Sequence, residues 1–276
     1  MLREVWKISW KGMVFTYLVL LAESVAFAFF PLYLGKAVDG LFEKDWFWFG
    51  VYLTICVVGC TVGTFRRTVD TRIFGRAWAS ISCSVVDKLL KKKMETAKVI
   101  TRDTLATRFV DFFEFAVPNT ITAAVGVIVP IGFLISDVPT SVPFILLLVI
   151  AMVLISLWVS YREKRWDNQM QTARDSRNQA IGDSNIERVR SSYELSMRAY
   201  IKRSDWGAAS WLAQCFLGIA GEVVVIMVLA ERGATPGEVL AAMAFVWKLF
   251  QNVTITTDLF GWIRSVEVAD ERISER

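Results

Sequence analysis

The chain has 276 residues, of which 54% are hydrophobic and 21% charged, and its formal net charge is +4. A mean hydropathy of +0.44 is too high for an ordinary soluble domain. The chain contains no histidine, the commonest general base and metal ligand, and its four cysteines show no Cys-x-x-Cys spacing. We therefore expect no enzyme activity, no metal and no cofactor.

Repeated apolar runs of roughly 18–22 residues are long enough to cross a bilayer as helices. They predict an all-α, polytopic membrane protein in which residues 1–276 form a single domain. The predicted spans lie at about 13–34, 46–66, 117–135, 143–161, 208–230 and 236–262.

Two of these spans continue into polar sequence without a helix-breaking residue. The second begins in an aromatic belt at Trp46 and becomes charged at Arg66, which predicts one helix as far as Met94, about 70 Å long. The fourth continues to a predicted turn at Gly182–Asn185. Two helical hairpins, at about 67–116 and 162–207, are therefore expected to extend into the cytoplasm.

The distribution of basic residues fixes the predicted orientation. Among the 31 Lys and Arg residues, only Lys36, Lys44 and Arg232 lie in proposed outer loops, and Lys248 lies within a span. The positive-inside rule then places both termini in the cytoplasm of a multi-pass protein, in a membrane of the bacterial inner-membrane type.

Charged residues inside the spans are the strongest candidates for function. Glu23, Glu222 and Lys248 are predicted near mid-membrane, where an isolated charge costs at least ~2.5–3.5 kcal/mol. One interpretation is that Glu222 pairs with Lys248 and fixes helix packing. The other is that these residues line a transport cavity, with Glu23 or Glu222 binding a proton or attracting a cation. Asp258 is expected to line the cytoplasmic side of the cavity or a dimer contact.

Two shorter features of the second span have simple structural interpretations. The neighbouring Arg66 and Arg67 are interpreted as reaching lipid headgroups, with an anionic-substrate funnel as the alternative. The Gly59-x-x-x-Gly63 spacing allows close approach of another helix.

Four stretches together resemble one known family: PLYLGKAVDGLF after the first span, DTLATRFVD from Asp103, the turn from Gly233 to Gly237, and VADERI from Val268. In this order they resemble the transmembrane domain of an ABC exporter half-transporter. The 276 residues contain no Gly-x-x-x-x-Gly-Lys-Ser/Thr phosphate loop, so we expect no ATP hydrolysis by this chain itself.

The resemblance implies a homodimer in the lipid bilayer that moves a small molecule or peptide by alternating access, without nucleic acid. Its energy source is left open. We favour the proton gradient, while the alternative is a separate ATPase subunit that docks near the coupling-helix candidates Glu95, Arg102, Asn185 and Glu187. A rival hypothesis of another class is a non-transporting regulator or scaffold.

Overall fold

Long helices make up nearly all of the computed structural model, which describes residues 2–94 and 96–274. In chain order they are α1 (Leu2–Ala28), α2 (Phe30–Glu43), α3 (Phe47–Lys91), α4 (Thr96–Asp111), a π-helix (Phe112–Ala116), α5 (Val117–Asp137), a 3₁₀ turn (Pro139–Ser141), α6 (Val142–Gly182), α7 (Ile186–Glu231) and α8 (Pro236–Ser274). None of the described residues lies in a strand.

Six stretches of the described chain are long and apolar enough to cross a membrane. They are Ser9–Glu43, Phe47–Lys91, Arg102–Asp137, Pro139–Gly182, Ile186–Glu231 and Pro236–Ile263. The predicted all-α, six-span membrane architecture is confirmed.

The first span consists of two helices, α1 and α2, that meet at Phe29. Pro31 occupies the first turn of α2, where its missing N–H is tolerated. The helix then continues to Glu43 and ends at Lys44, whose positive φ of 63° lets its N–H reach the carbonyls of Gly40 and Leu41. The helical stretch therefore continues beyond residue 34, where the predicted first span ends.

Helix α3 passes through the charged residues after Phe65 without interruption. Its 45 residues correspond to about 68 Å. The buried residues of α3 all lie in its polar half, at helical spacing: Phe74, Ala77, Ile81, Val85 and Leu89. No residue of the apolar half is buried, and its exposed side chains, such as Val57 and Val58, suit contact with lipid.

The hairpin of α3 and α4 has an apolar core of its own. Phe74, Ile81 and Leu89 of α3 pack with Val99 and Phe109 of α4. Val5 and Met13 of α1 and Val266 of α8 complete the same cluster. The sequence predicted that both hairpins need a partner to cover their apolar faces. For this hairpin, much of the cover comes from the same chain.

The chain divides into two compact units, the first formed by residues 1–142 and 224–276 and the second by residues 143–223. The second unit is the hairpin of α6 and α7. Inside it, the buried Gln214 donates hydrogen bonds from Nε2 to the hydroxyls of Ser156 and Ser210, both at 3.1 Å. The hairpin turns at Gly182–Asn185 as the sequence predicts.

Candidate functional site: charged and polar contacts within the spans of the first unit

An arginine lies between two carboxylates where α1 meets α3. Arg66 Nε is 2.6 Å from Glu23 Oε2, and Arg66 Nη1 is 2.6 Å from Asp70 Oδ2. All three side chains are less than a fifth exposed. We call these residues the carboxylate–arginine cluster. With two carboxylates and one guanidinium, the cluster carries one excess negative charge when all three groups are ionised.

Two glycines of α3 make room for the side chains of α1 at this contact. A Cβ on Gly63 would lie 2.8 Å from Glu23 Oε1, and a Cβ on Gly59 would collide with the ring of Phe27. Both pairs are spaced by four residues, so the two helices match along one face. The close contact predicted for Gly59 and Gly63 is therefore present, and it seats Glu23 beside Arg66.

The interpretation of Arg66 as a lipid-facing residue is wrong. Its guanidinium is bound on two sides by carboxylates of the same chain, whereas Arg67 is exposed as expected. Glu23 and Arg66 lie 43 residues apart in the sequence, with α2 between their helices, so the pairing depends on tertiary contact. The sequence feature that could have indicated this contact is the pair Gly59 and Gly63, just before Arg66, because it marks the face of α3 that packs against α1.

The cluster lies farther from the aromatic belt at the start of α3 than the predicted position of Glu23 near mid-membrane. That prediction measured depth from Pro31, but α2 continues to Glu43. From Trp48 in the outer aromatic belt to Gly63, α3 measures about 22 Å. Since a hydrocarbon core is about 30 Å thick, Glu23 lies in the half of the span that is farther from this aromatic belt.

One buried oxygen of the cluster has no protein partner. Asp70 Oδ1 is shielded from solvent and makes no hydrogen bond within the described part of the chain. Nearby, the hydroxyl of Tyr17 donates to the carbonyl of Phe113 at 2.7 Å, which ties α1 to the π-helix. π-Helical turns are frequent at functional sites. The inner half of this unit thus combines excess acid with an irregular helix.

Lys248 of α8 is satisfied by a main-chain oxygen. Its ammonium donates a hydrogen bond to the carbonyl of Phe27. In an uninterrupted helix that carbonyl would accept from the N–H of residue 31, which is a proline and has none. The lysine supplies the missing donor. Glu222 lies in the second unit and has no hydrogen bond or ion pair among the described residues, so its pairing with Lys248 stays a prediction.

A third polar contact joins the outer ends of α2 and α8. Asp39 Oδ1 accepts from the N–H of Gly237 at 2.8 Å, and Asp39 Oδ2 accepts from the hydroxyl of Thr235 at 2.6 Å. Thr235 also forms a capping box with Glu238, with distances of 3.0 and 3.2 Å. A carboxylate at a helix N-terminus is favoured by the helix dipole. We call Asp39, Thr235 and Gly237 the outer latch.

Glycines bring the helices of the outer latch into backbone contact. A Cβ on either Gly35 or Gly237 would collide with the carbonyl of the other. These glycines belong to the two stretches singled out in the sequence at the end of the first span and the start of the sixth. The structure brings those stretches together, which no local pattern indicated.

The other candidate residues lie apart from these contacts. The side chain of Asp258 and the whole of Glu95 lie outside the described residues. Arg102 is in α4, Glu187 is exposed in the first turn of α7, and the Asn185 side chain caps α7 by accepting from the N–H of Arg188 at 3.1 Å. Arg102 thus lies inside the 16-residue α4, whereas Asn185 and Glu187 lie at the start of α7, and their role as a docking site for an ATPase stays a prediction.

Six apolar helices, polar helical extensions and satisfied charges within the spans define a multi-pass membrane domain of the transporter type. Residues 2–236 match the family described as ABC transporter transmembrane region, and the chain belongs to this family. Helix α8 begins where the match ends and is held to α2 by the outer latch. No nucleotide-binding domain matches within these 276 residues. No curated protein matches the chain.

Proposed function

We propose that this domain works as a homodimeric transporter that moves a small molecule or peptide by alternating access and takes its energy from the proton gradient. The carboxylate–arginine cluster carries the proposal. It holds more acid than base within a span, and its members belong to two different helices.

The chemistry of the cluster suggests how a proton would act. With Glu23 and Asp70 both ionised, Arg66 links α1 to α3 through Glu23. A proton on Glu23 removes the charge–charge attraction between Glu23 and Arg66 and leaves Arg66 paired with Asp70 on its own helix. Protonation would then loosen the contact between α1 and α3, and loss of the proton would restore it. Glu222, without a partner among the described residues, is the second candidate for proton binding.

Exposed apolar side chains on the second unit support the homodimer. Tyr193, Met197 and Ile201 lie on the part of α7 before the membrane span, and each is about half exposed or more. Such patches commonly mark protein contacts. In the proposed homodimer, a second copy of the chain covers these side chains. The proposed orientation places both termini of each copy in the cytoplasm. Chemical cross-linking in membranes tests this, and Met197→Glu should reduce the cross-linked dimer.

The energy source of transport is tested with purified protein in liposomes, without ATP. Uptake of labelled peptides and of ethidium is followed after an imposed pH gradient. The proposal expects gradient-dependent uptake that Glu23→Gln or Glu222→Gln reduces, while Glu43→Gln, an exposed carboxylate at the outer end of α2, leaves it unchanged. Uptake that ignores the gradient and appears only with added ATPase protein would contradict proton coupling.

A separate ATPase subunit is the second candidate, and the tip of the second hairpin favours it. Ile186 is 77% exposed beside Glu187, just after the Asn185 cap. An exposed isoleucine at the end of a long polar hairpin suits docking to another protein. Ile186→Asp should abolish ATP-dependent flux if this alternative holds. A protein that shows no flux under either energy source would instead be a regulator or scaffold.

A further inference from the structure

The second unit contains a pocket where its polar and apolar parts meet. The pocket has a volume of about 460 Å³ and opens between α6 and α7. Its lining includes Glu163, Arg203 and Ser204 on the polar side and Trp211 on the apolar side. Trp158 and Trp206 stack edge to face at the same level, with ring centroids 5.1 Å apart. Because tryptophan prefers the membrane interface, the pocket lies at headgroup depth.

The charges in this pocket form a loose pair. Arg203 Nε is 3.9 Å from Glu163 Oε2, close to the limit for an ion pair, and the two side chains are 44% and 22% exposed. A guanidinium binds phosphate through two parallel hydrogen bonds, and a carboxylate accepts from an ammonium group. The pocket therefore offers one positive and one negative site a few ångströms apart.

A glycine keeps the pocket open. A Cβ on Gly207 would meet nothing closer than Glu163 Oε1 at 3.7 Å, so a larger side chain there would extend into the space. Glycine in the middle of a helix costs roughly 1 kcal/mol relative to alanine. Gly207 therefore leaves open space at this level of α7, although glycine lowers the stability of the helix.

An exposed apolar stripe leads from the pocket into the membrane. Leu212, Phe216, Ile219 and Val223 are each about half exposed or more, and they follow Ser204 and Ala208 at helical spacing. Residues spaced by three and four share one helix face. From Ala208 to Val223 the stripe measures about 22 Å, enough for an acyl chain within one leaflet.

We propose that this interfacial pocket binds the headgroup of a zwitterionic phospholipid with a primary ammonium, with the phosphate on Arg203, the ammonium on Glu163 and an acyl chain along the apolar stripe. Arg203 and Glu163 together have no net charge, and so do the phosphate and the ammonium of a zwitterionic headgroup, so each charge has an opposite partner. A trimethylated ammonium cannot donate hydrogen bonds to Glu163, and an anionic headgroup without an amine leaves Glu163 facing a like charge. The inference is independent of how transport is driven.

The test is lipid retention measured by native mass spectrometry after release from nanodiscs with equal parts of phosphatidylethanolamine, phosphatidylcholine and phosphatidylglycerol. Phosphatidylethanolamine should dominate the bound lipid. Arg203→Gln, Glu163→Gln and Gly207→Leu should each lower its retention roughly tenfold, the scale of one lost charge-assisted hydrogen bond. Arg198→Gln, an exposed arginine of the same helix, and Gly75→Leu, a helical glycine with open space, should change nothing.

A charge-swapped protein separates the ligand site from a structural ion pair. Glu163→Arg combined with Arg203→Glu keeps one charge of each sign, so thermal stability should stay near that of the original protein. Phosphatidylethanolamine retention should still fall, because the headgroup must reverse while its acyl chain stays on the stripe. Equal retention of the three lipids, equal loss in the control variants, or exclusion of lipid by a second copy seated on the pocket would overturn the proposal.

Discussion

Lys248 of α8 donates a hydrogen bond to the carbonyl of Phe27, the main-chain acceptor that Pro31 leaves without its helical partner. A proline within a membrane-spanning stretch frees a carbonyl that lipid cannot satisfy, and neighbouring helices supply the donor. Here the donor is an ammonium group, which itself needs a partner at that depth. The Phe27 carbonyl left free at the break between α1 and α2 and the half-buried ammonium of Lys248 therefore satisfy each other's need for a hydrogen-bond partner.

This relationship predicts that the cost of removing Lys248 depends on Pro31. Lys248→Met should lower the free energy of unfolding by about 1 to 2 kcal/mol, because the Phe27 carbonyl loses its donor. In a Pro31→Ala background, residue 31 provides an N–H and the same substitution should cost less. Thermal unfolding of the single and double variants in detergent measures the difference. An equal loss in both backgrounds would contradict this account of the lysine.

Gly63 is predicted to be intolerant of a side chain because of Glu23. Gly63→Ala places a Cβ within 2.8 Å of Glu23 Oε1, so it should push the carboxylate away from Arg66 and lower the melting temperature. Glu23→Ala removes the collision, and Gly63→Ala in that background should be close to neutral. Gly50→Ala, on the same helix with open space around it, is the matched control. A loss that persists without Glu23 would show that another contact is responsible.

The outer latch predicts a stability effect at Asp39. Asp39→Asn keeps the size of the side chain but removes its charge and one acceptor from the N-terminus of α8, which should cost about 1 kcal/mol. Glu43→Gln, four residues later on the same helix, controls for loss of a carboxylate. Thermal unfolding compares the two, and equal stability of the Asp39 and Glu43 variants would mean that the latch contributes nothing.

The latch also bears on transport. If alternating access requires α2 and α8 to separate on the outer side, a disulfide between Asp39→Cys and Thr235→Cys should stop uptake, and a reducing agent should restore it. The two single cysteine variants under oxidising conditions are the controls. Full uptake by the cross-linked protein would show that this contact stays closed throughout the cycle.

The sequence predicted the fold well because its signals are local. Apolar length defined six spans, and Gly182 through Asn185 marked the hairpin turn. The continuation of the helix beyond the predicted span end at residue 34 was not evident, because Pro31 lies in the first turn of α2 and does not end the helical stretch. The partners of the charges were not predictable in the same way. Arg66 meets Glu23, and Lys248 meets a backbone oxygen, only through contacts between distant helices.

The most direct test of the central claim compares exchange with accumulation in the Glu23→Gln variant, which fixes one carboxylate of the cluster in a neutral form. Proteoliposomes are assayed for uptake driven by a pH gradient and for exchange of labelled against unlabelled substrate at equal pH. The proposal predicts that the variant loses gradient-driven accumulation but keeps exchange, since residue 23 stays neutral, as in the protonated protein, and no proton is bound or released there. Accumulation at the original level in Glu23→Gln would contradict proton coupling through the carboxylate–arginine cluster.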